Sequence, residues 1–238
     1  MAMEDLQLGA PCHQAINNKA FNTPQSCKDG SESALCCKVI PVSMVEAWYF
    51  NPSDEDPKLP HKFTPNRPVP RKHLDELGMM IWRLDADKWE DNEILEKIKM
   101  ERGYNYWDIV TMNPSMADYE EKVNHFFTEH LHADEEIRFL LEGGGYWDIR
   151  DYDEKWIRFR IEKGDLVVLP PGMYHRFTLD INNHAKAMRL FKGLPCWTQH
   201  ERPADDMQAR KVYMQNVLKK GDTTHVEGSA SIPRHGEA

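Results

Sequence analysis

Two histidines stand two residues apart, His130 and His132. A carboxylate run, Asp134-Glu135-Glu136, follows them, and a third histidine, His175, closes a segment rich in apolar residues. In an extended strand, residues i and i+2 point to the same face, so the first two imidazoles can meet one ion. Three imidazoles and one carboxylate form a mixed nitrogen and oxygen set. That set suits iron, nickel, manganese or zinc better than calcium or magnesium. Strand phase selects the carboxylate. If residues 133–135 turn between two strands, Glu136 opens the second, and Arg138 and Leu140 share its face. Asp134 and Glu135 are then turn groups, or partners that orient an imidazole. The other histidines arrive without such a setting and are read as surface or hydrogen-bonded side chains.

The spacing carries more information than the residue types. His130-x-His132-x3-Glu136-x6-Gly143 is followed by Gly164-x5-Pro170-x-Gly172-x2-His175. Together these resemble the two cupin motifs. The resemblance implies a mainly β fold, a double-stranded β-helix (cupin jelly roll) with a few peripheral α-helices and with ligands on inner strand faces. Asn124 stands where the first motif usually opens with Gly, and Leu179 where the second usually ends with Asn, which points to one subgroup. Longer runs narrow it: E-H-L-H-A-D-E-E-I-R at 129–138, G-Y-W-D-I-R-D at 145–151, L-P-P-G-M-Y-H-R-F-T at 169–178, A-M-R-L-F at 187–191 and W-T-Q-H-E-R-P-A-D at 197–205. These resemble the acireductone dioxygenases of methionine salvage, from about Met44 to about Asp205.

The resemblance implies a metal site of His130, His132, Glu136 and His175 holding one Fe(2+) or Ni(2+) per chain. Four protein ligands leave two positions on an octahedral ion for a bidentate substrate. That substrate would be acireductone, 1,2-dihydroxy-5-(methylthio)pent-1-en-3-one, reacting with O2. The Fe form would give formate and 4-methylthio-2-oxobutanoate. The Ni form would give formate, carbon monoxide and 3-(methylthio)propanoate. Arg138 would point into the barrel, where an unpartnered arginine is costly. It is read as a clamp for the anionic substrate, against an internal ion pair with Glu136 or Asp148. Phe177 and Met173 are core positions that would cover the methylthioalkyl tail if they line the pocket. Trp147 and Trp156 receive no role. Two other readings are a different cupin oxygenase or isomerase, and a cupin kept as a protein-interaction module. The domain-wide resemblance weighs against the first and the intact ligand set against the second.

The elements that must position these groups can be read from periodicity and breakers. Residues 79–84 form a strand. Asp91 caps a helix with Ile94, Leu95 and Ile98 on one face and Gly103 as its stop. A strand follows around 107–110, and Ser115 caps a helix over 116–127. An all-β section runs from Glu129 to about Phe191, with turns at 143–145, 151–155, 162–165 and 181–184. Six prolines between 51 and 72 mark a loop that wraps a surface, and 205–218 reads as a last helix.

The chain of 238 residues is long enough for one sizeable core, placed at 44–218. Residues 1–43 and 219–238 are polar, lack periodicity and are expected to be disordered. A net charge of −9 disfavours nucleic acid as a partner, and no apolar run approaches the roughly 20 residues of a membrane helix. The first residues lack the marks of a secretory or transit peptide. Five cysteines, Cys12, Cys27, Cys36, Cys37 and Cys196, are read as reduced thiols. The expected location is the cytoplasm, with a nuclear fraction and protein partners left open.

Overall fold

The computed structural model describes residues 45–218. The expectations for 1–43 and 219–238, and for the four N-terminal cysteines, lie outside the described residues. Ten strands form two antiparallel sheets that share one long member, β5 (Glu136–Arg150). Its first half pairs with β7 (Asp165–Leu169) and β9 (Ala185–Phe191). Beyond these lie β2 (Met80–Arg83) on β7 and β3 (Tyr106–Met112) on β9. Its second half pairs with β6 (Trp156–Glu162) and β8 (His175–Leu179). The second sheet is completed by β1 (Ala47–Tyr49) on β6, and by β4 (His130–Leu131) between β8 and β10 (His200–Glu201).

The glycines at 143–145 are therefore not a turn. They lie inside β5, where it leaves one sheet for the other, next to a register shift between Leu140 and Glu142. Gly143 has φ +68°, and a Cβ there would sit 2.0 Å from the carbonyl oxygen of His184. Glycine serves here for close backbone approach and a bend, a role that composition alone does not separate from a turn. The other three expected turns join β5 to β6, β6 to β7 and β8 to β9.

Alternation along β5 divides the core. Ile137 and Phe139 face outward with Leu166, Val168, Met188 and Leu190, beneath α2 (Glu93–Arg102) through Leu95 and Ile98. Leu140, Trp147, Ile149, Val167, Leu169 and Met173 belong to the cluster between the sheets. β7 is apolar on both faces because both are covered.

The α2 cap is Asn92, one residue after the expected Asp91. Its Oδ1 accepts from the backbone N–H groups of Ile94 and Leu95, while Asp91 ends a 3-10 turn from Ala86. Gly103 ends α2 in the left-handed region at φ +74°. α3 (Tyr119–Phe127) starts later than the expected 116, because Ser115 bonds to the Asn113 side chain in a preceding turn. The last helix is short, α4 (Gln208–Tyr213), and continues as a π turn over Met214–Leu218. The proline-rich segment wraps the second sheet: buried Arg158 donates to the carbonyl of Pro57, and Trp48 Nε1 donates to that of Pro60. α1 (Arg71–Glu76) follows it.

Candidate metal centre

β4, β5 and β8 bring the four expected ligands together. His130 on β4 pairs in register with His175 on β8. His132 follows just after β4, and Glu136 opens β5 beyond a bend at 133–134. One ligand atom from each of the four lies within 4.8 Å of the others, a spread that one ion can bridge. The ring centroids of His130 and His175 are 4.4 Å apart, and those of His130 and His132 are 5.1 Å apart.

The tautomers follow from the outer contacts. Each Nδ1 meets a backbone carbonyl: His130 that of Thr128 at 2.7 Å, His132 that of Thr198 at 2.8 Å, and His175 that of Met173 at 2.9 Å. A carbonyl only accepts, so each Nδ1 carries the proton and each Nε2 turns a lone pair inward. Two of the imidazoles, those of His130 and His132, are also held neutral. Burial, aided by the neighbouring histidines, lowers His130 to about 2. Burial and His175 lower His132 to about 4 against the pull of Glu136.

Glu136 joins the set as an anion. Burial pushes its carboxyl up, but Arg138, then His175, outweigh this and hold it well below the usual carboxylate range. Its Oε2 lies 2.7 Å from His175 Nε2, a hydrogen-bond distance, yet neither atom has a hydrogen-bond partner. Two buried acceptors at that separation repel unless a cation or proton lies between them. The orphaned pair therefore fits a divalent metal held by these residues.

Arg138 shares the inward face with Glu136, as expected. Its Nη2 is 2.8 Å from Glu136 Oε1, and its Nη1 donates to the carbonyl of Ile137. Asp148, the other expected partner, points the opposite way and bonds buried Arg158 together with Arg176. Met173 is fully buried, and Phe177 packs at the edge of the same interior cluster. Glu135 does not orient an imidazole. It contacts Arg102, Tyr104 and Lys192 outside the site, because it precedes the strand and faces away. Backbone carbonyls take the orienting role, and no side-chain motif announces them. Sequence reasoning also missed the Arg189 and Asp108 pair, with Arg189 Nε 2.7 Å from Asp108 Oδ1; its charges act on Arg138.

A model of the ARD/ARD' family matches residues 46–199. The chain belongs to the acireductone dioxygenase family. Acireductone dioxygenase from Monodelphis domestica is 53% identical over 179 residues, covering 75% of this chain and 100% of that protein. Acireductone dioxygenase 2 from Oryza sativa subsp. indica is 51% identical over 185 residues, 77% of this chain and 93% of that one. The human protein of the same name is 51% identical over 173 residues, 72% of this chain and 97% of that one. A solved structure, "Acireductone dioxygenase from Bacillus anthracis with cadmium ion in active center", superposes with a TM-score of 0.53 at 21% identity, covering 66% of this chain and 98% of that chain. At that identity it supports the fold alone. The cupin fold and the dioxygenase class expected from the sequence both stand. Among the described residues no helix is long and apolar enough to cross a membrane.

Proposed function

We propose that this acireductone dioxygenase family member binds one Fe(2+) or Ni(2+) through His130, His132, Glu136 and His175. With it the chain cleaves acireductone with O2 in methionine salvage. The observation that carries the site is the orphaned pair, Glu136 Oε2 and His175 Nε2, facing each other without a shared hydrogen bond. The bound ion supplies Lewis-acid binding for the substrate's vicinal oxygens.

The chain's own residues do the rest. Three backbone carbonyls hold the imidazoles in one tautomer, so the ligand set is organised before metal arrives. Arg138 keeps Glu136 ionised and has further guanidinium N–H groups to donate to an anionic oxygen of the substrate. The apolar cluster around Met173 and Phe177 covers the methylthioalkyl tail and excludes water, which strengthens every charge interaction at the polar end. The products follow the metal: formate and 4-methylthio-2-oxobutanoate with Fe(2+), or formate, carbon monoxide and 3-(methylthio)propanoate with Ni(2+). Product analysis on separately loaded Fe(2+) and Ni(2+) forms, with metal content measured on each, tests this. Absence of turnover in both fully loaded forms would overturn it.

A further inference from the structure

Trp147 lies on the second half of β5, directly opposite Phe177 of β8 and Phe159 of β6. Two residues on, Ile149 stands opposite His175. The indole and the third histidine therefore share the interior face of one sheet. Strand rise places Trp147 roughly 7 Å further along the interior than His175. The residue is 2% exposed, and its Nε1 is buried with no hydrogen-bond partner. Its ring meets Phe177 at 5.6 Å and Phe159 at 5.9 Å between centroids. Leu140, Ile149, Val167 and Leu179 belong to the same apolar cluster.

A buried indole N–H ordinarily finds an acceptor, and one left alone in an apolar core is a cost that a phenylalanine would not carry. Among the described residues Trp147 Nε1 has no acceptor. The proposed substrate offers one. Its polar head belongs at the ligand set and Arg138, and its sulfur lies two methylenes beyond the C3 carbonyl. That reach matches a position two residues along the strand from His175. A thioether sulfur is a weak acceptor. It suffices here because the buried donor has no better one.

We infer that Trp147 Nε1–H donates to the thioether sulfur of the substrate tail and makes this chain select sulfur over carbon at that position. The inference rests on the acireductone reading and deepens it. It is tested with acireductone and its analogue carrying methylene in place of sulfur, on the metal-loaded wild type and on Trp147→Phe, with metal content measured. The wild type should favour the thioether in kcat/KM by about fivefold. Trp147→Phe should treat the two substrates alike to within about twofold in kcat/KM, with metal content retained. A wild type that makes no distinction, or a variant that keeps the wild-type ratio, overturns the inference while leaving the acireductone reading intact. No turnover of either substrate sinks that reading instead. A second measurement needs neither turnover nor a variant. In the Zn(2+)-loaded wild type, one of the seven tryptophan indole N–H resonances should shift with 3-(methylthio)propanoate and stay in place with pentanoate. Equal responses to the two probes overturn the inference.

Discussion

The Nε2 of His175 has one use that its surroundings allow. Its Nδ1 is committed to the Met173 carbonyl, and its other nitrogen faces a carboxylate oxygen with no hydrogen bond between them. His175→Ala should therefore lower bound Fe(2+) or Ni(2+) far below one ion per chain and abolish turnover, and metal analysis beside far-ultraviolet circular dichroism checks both that and the fold. Full occupancy in this variant would remove the ligand assignment. Arg138 has two uses, and they separate experimentally. It pairs with Glu136, so its loss could weaken metal binding, and it is placed to hold an anionic substrate oxygen. Arg138→Ala should cost about 2–4 kcal/mol in turnover per bound metal, tens- to roughly a thousandfold in rate. Arg138→Lys should cost less, since an ammonium keeps the charge but not the fork. If only metal content or melting temperature falls, and turnover per bound metal is unchanged, the clamp is wrong. These side chains were legible in the sequence because spacing and phase place them. The carbonyls of Thr128, Met173 and Thr198 were not, since any residue supplies a carbonyl and only the fold aims it.

β5 carries most of the positioning, and its bend is where local reading failed. Three successive glycines look like a turn when only composition is weighed, yet each half of β5 pairs on both sides. Gly143→Ala should destabilise the chain by about 2–4 kcal/mol, combining a left-handed backbone with a clash against His184. Thermal or denaturant unfolding measures this, and a neutral outcome would mean that the bend relaxes freely. Glu129, just before β4, holds the neighbouring strands through Arg150 at 2.8 and 2.9 Å and through Arg202 at 2.8 Å. Burial raises its carboxyl, but Arg150 and Arg202 together set it below its usual value. A lowered folded-state pKa gives stability that is complete above the unfolded value of about 4.3 and is lost as pH falls through the folded one. Glu129→Gln should therefore flatten the acid side of the melting temperature against pH relative to wild type. Parallel curves below about pH 5 would show that this contact adds nothing to stability. Helix positions were read well from apolar spacing. Their starts were not, because Asp91 and Asn92 are equally good caps in one dimension, and because Ser115 bonds to Asn113 in a turn ahead of α3, which starts from Asp118 instead.

At the scale of the whole molecule, the fold was legible because both cupin motifs and the alternation between them are local patterns that pin a non-local pairing: β4 meets β8 across some forty residues of chain. The extent of the packed part is a separate question. The family match begins at residue 46, and the Monodelphis domestica relative is covered end to end by three quarters of this chain. The interior cluster from Ala47 to Leu218 includes Met173 and residues of β5 and β8, two of the strands that carry the ligands. The first 43 residues hold four of the five cysteines and show no apolar periodicity. We propose that residues 1–43 contribute neither to the core nor to the site. A chain starting at Met44 should melt within about 2 °C of the full chain, with the same metal content and turnover. The single thiol it keeps, Cys196, should leave it less prone to disulfide-linked oligomers in air. A fall of more than about 4 °C, on the order of 1 kcal/mol or more for a domain of this size, would show that the N-terminal segment packs on the barrel and that 44–218 is not the folding unit.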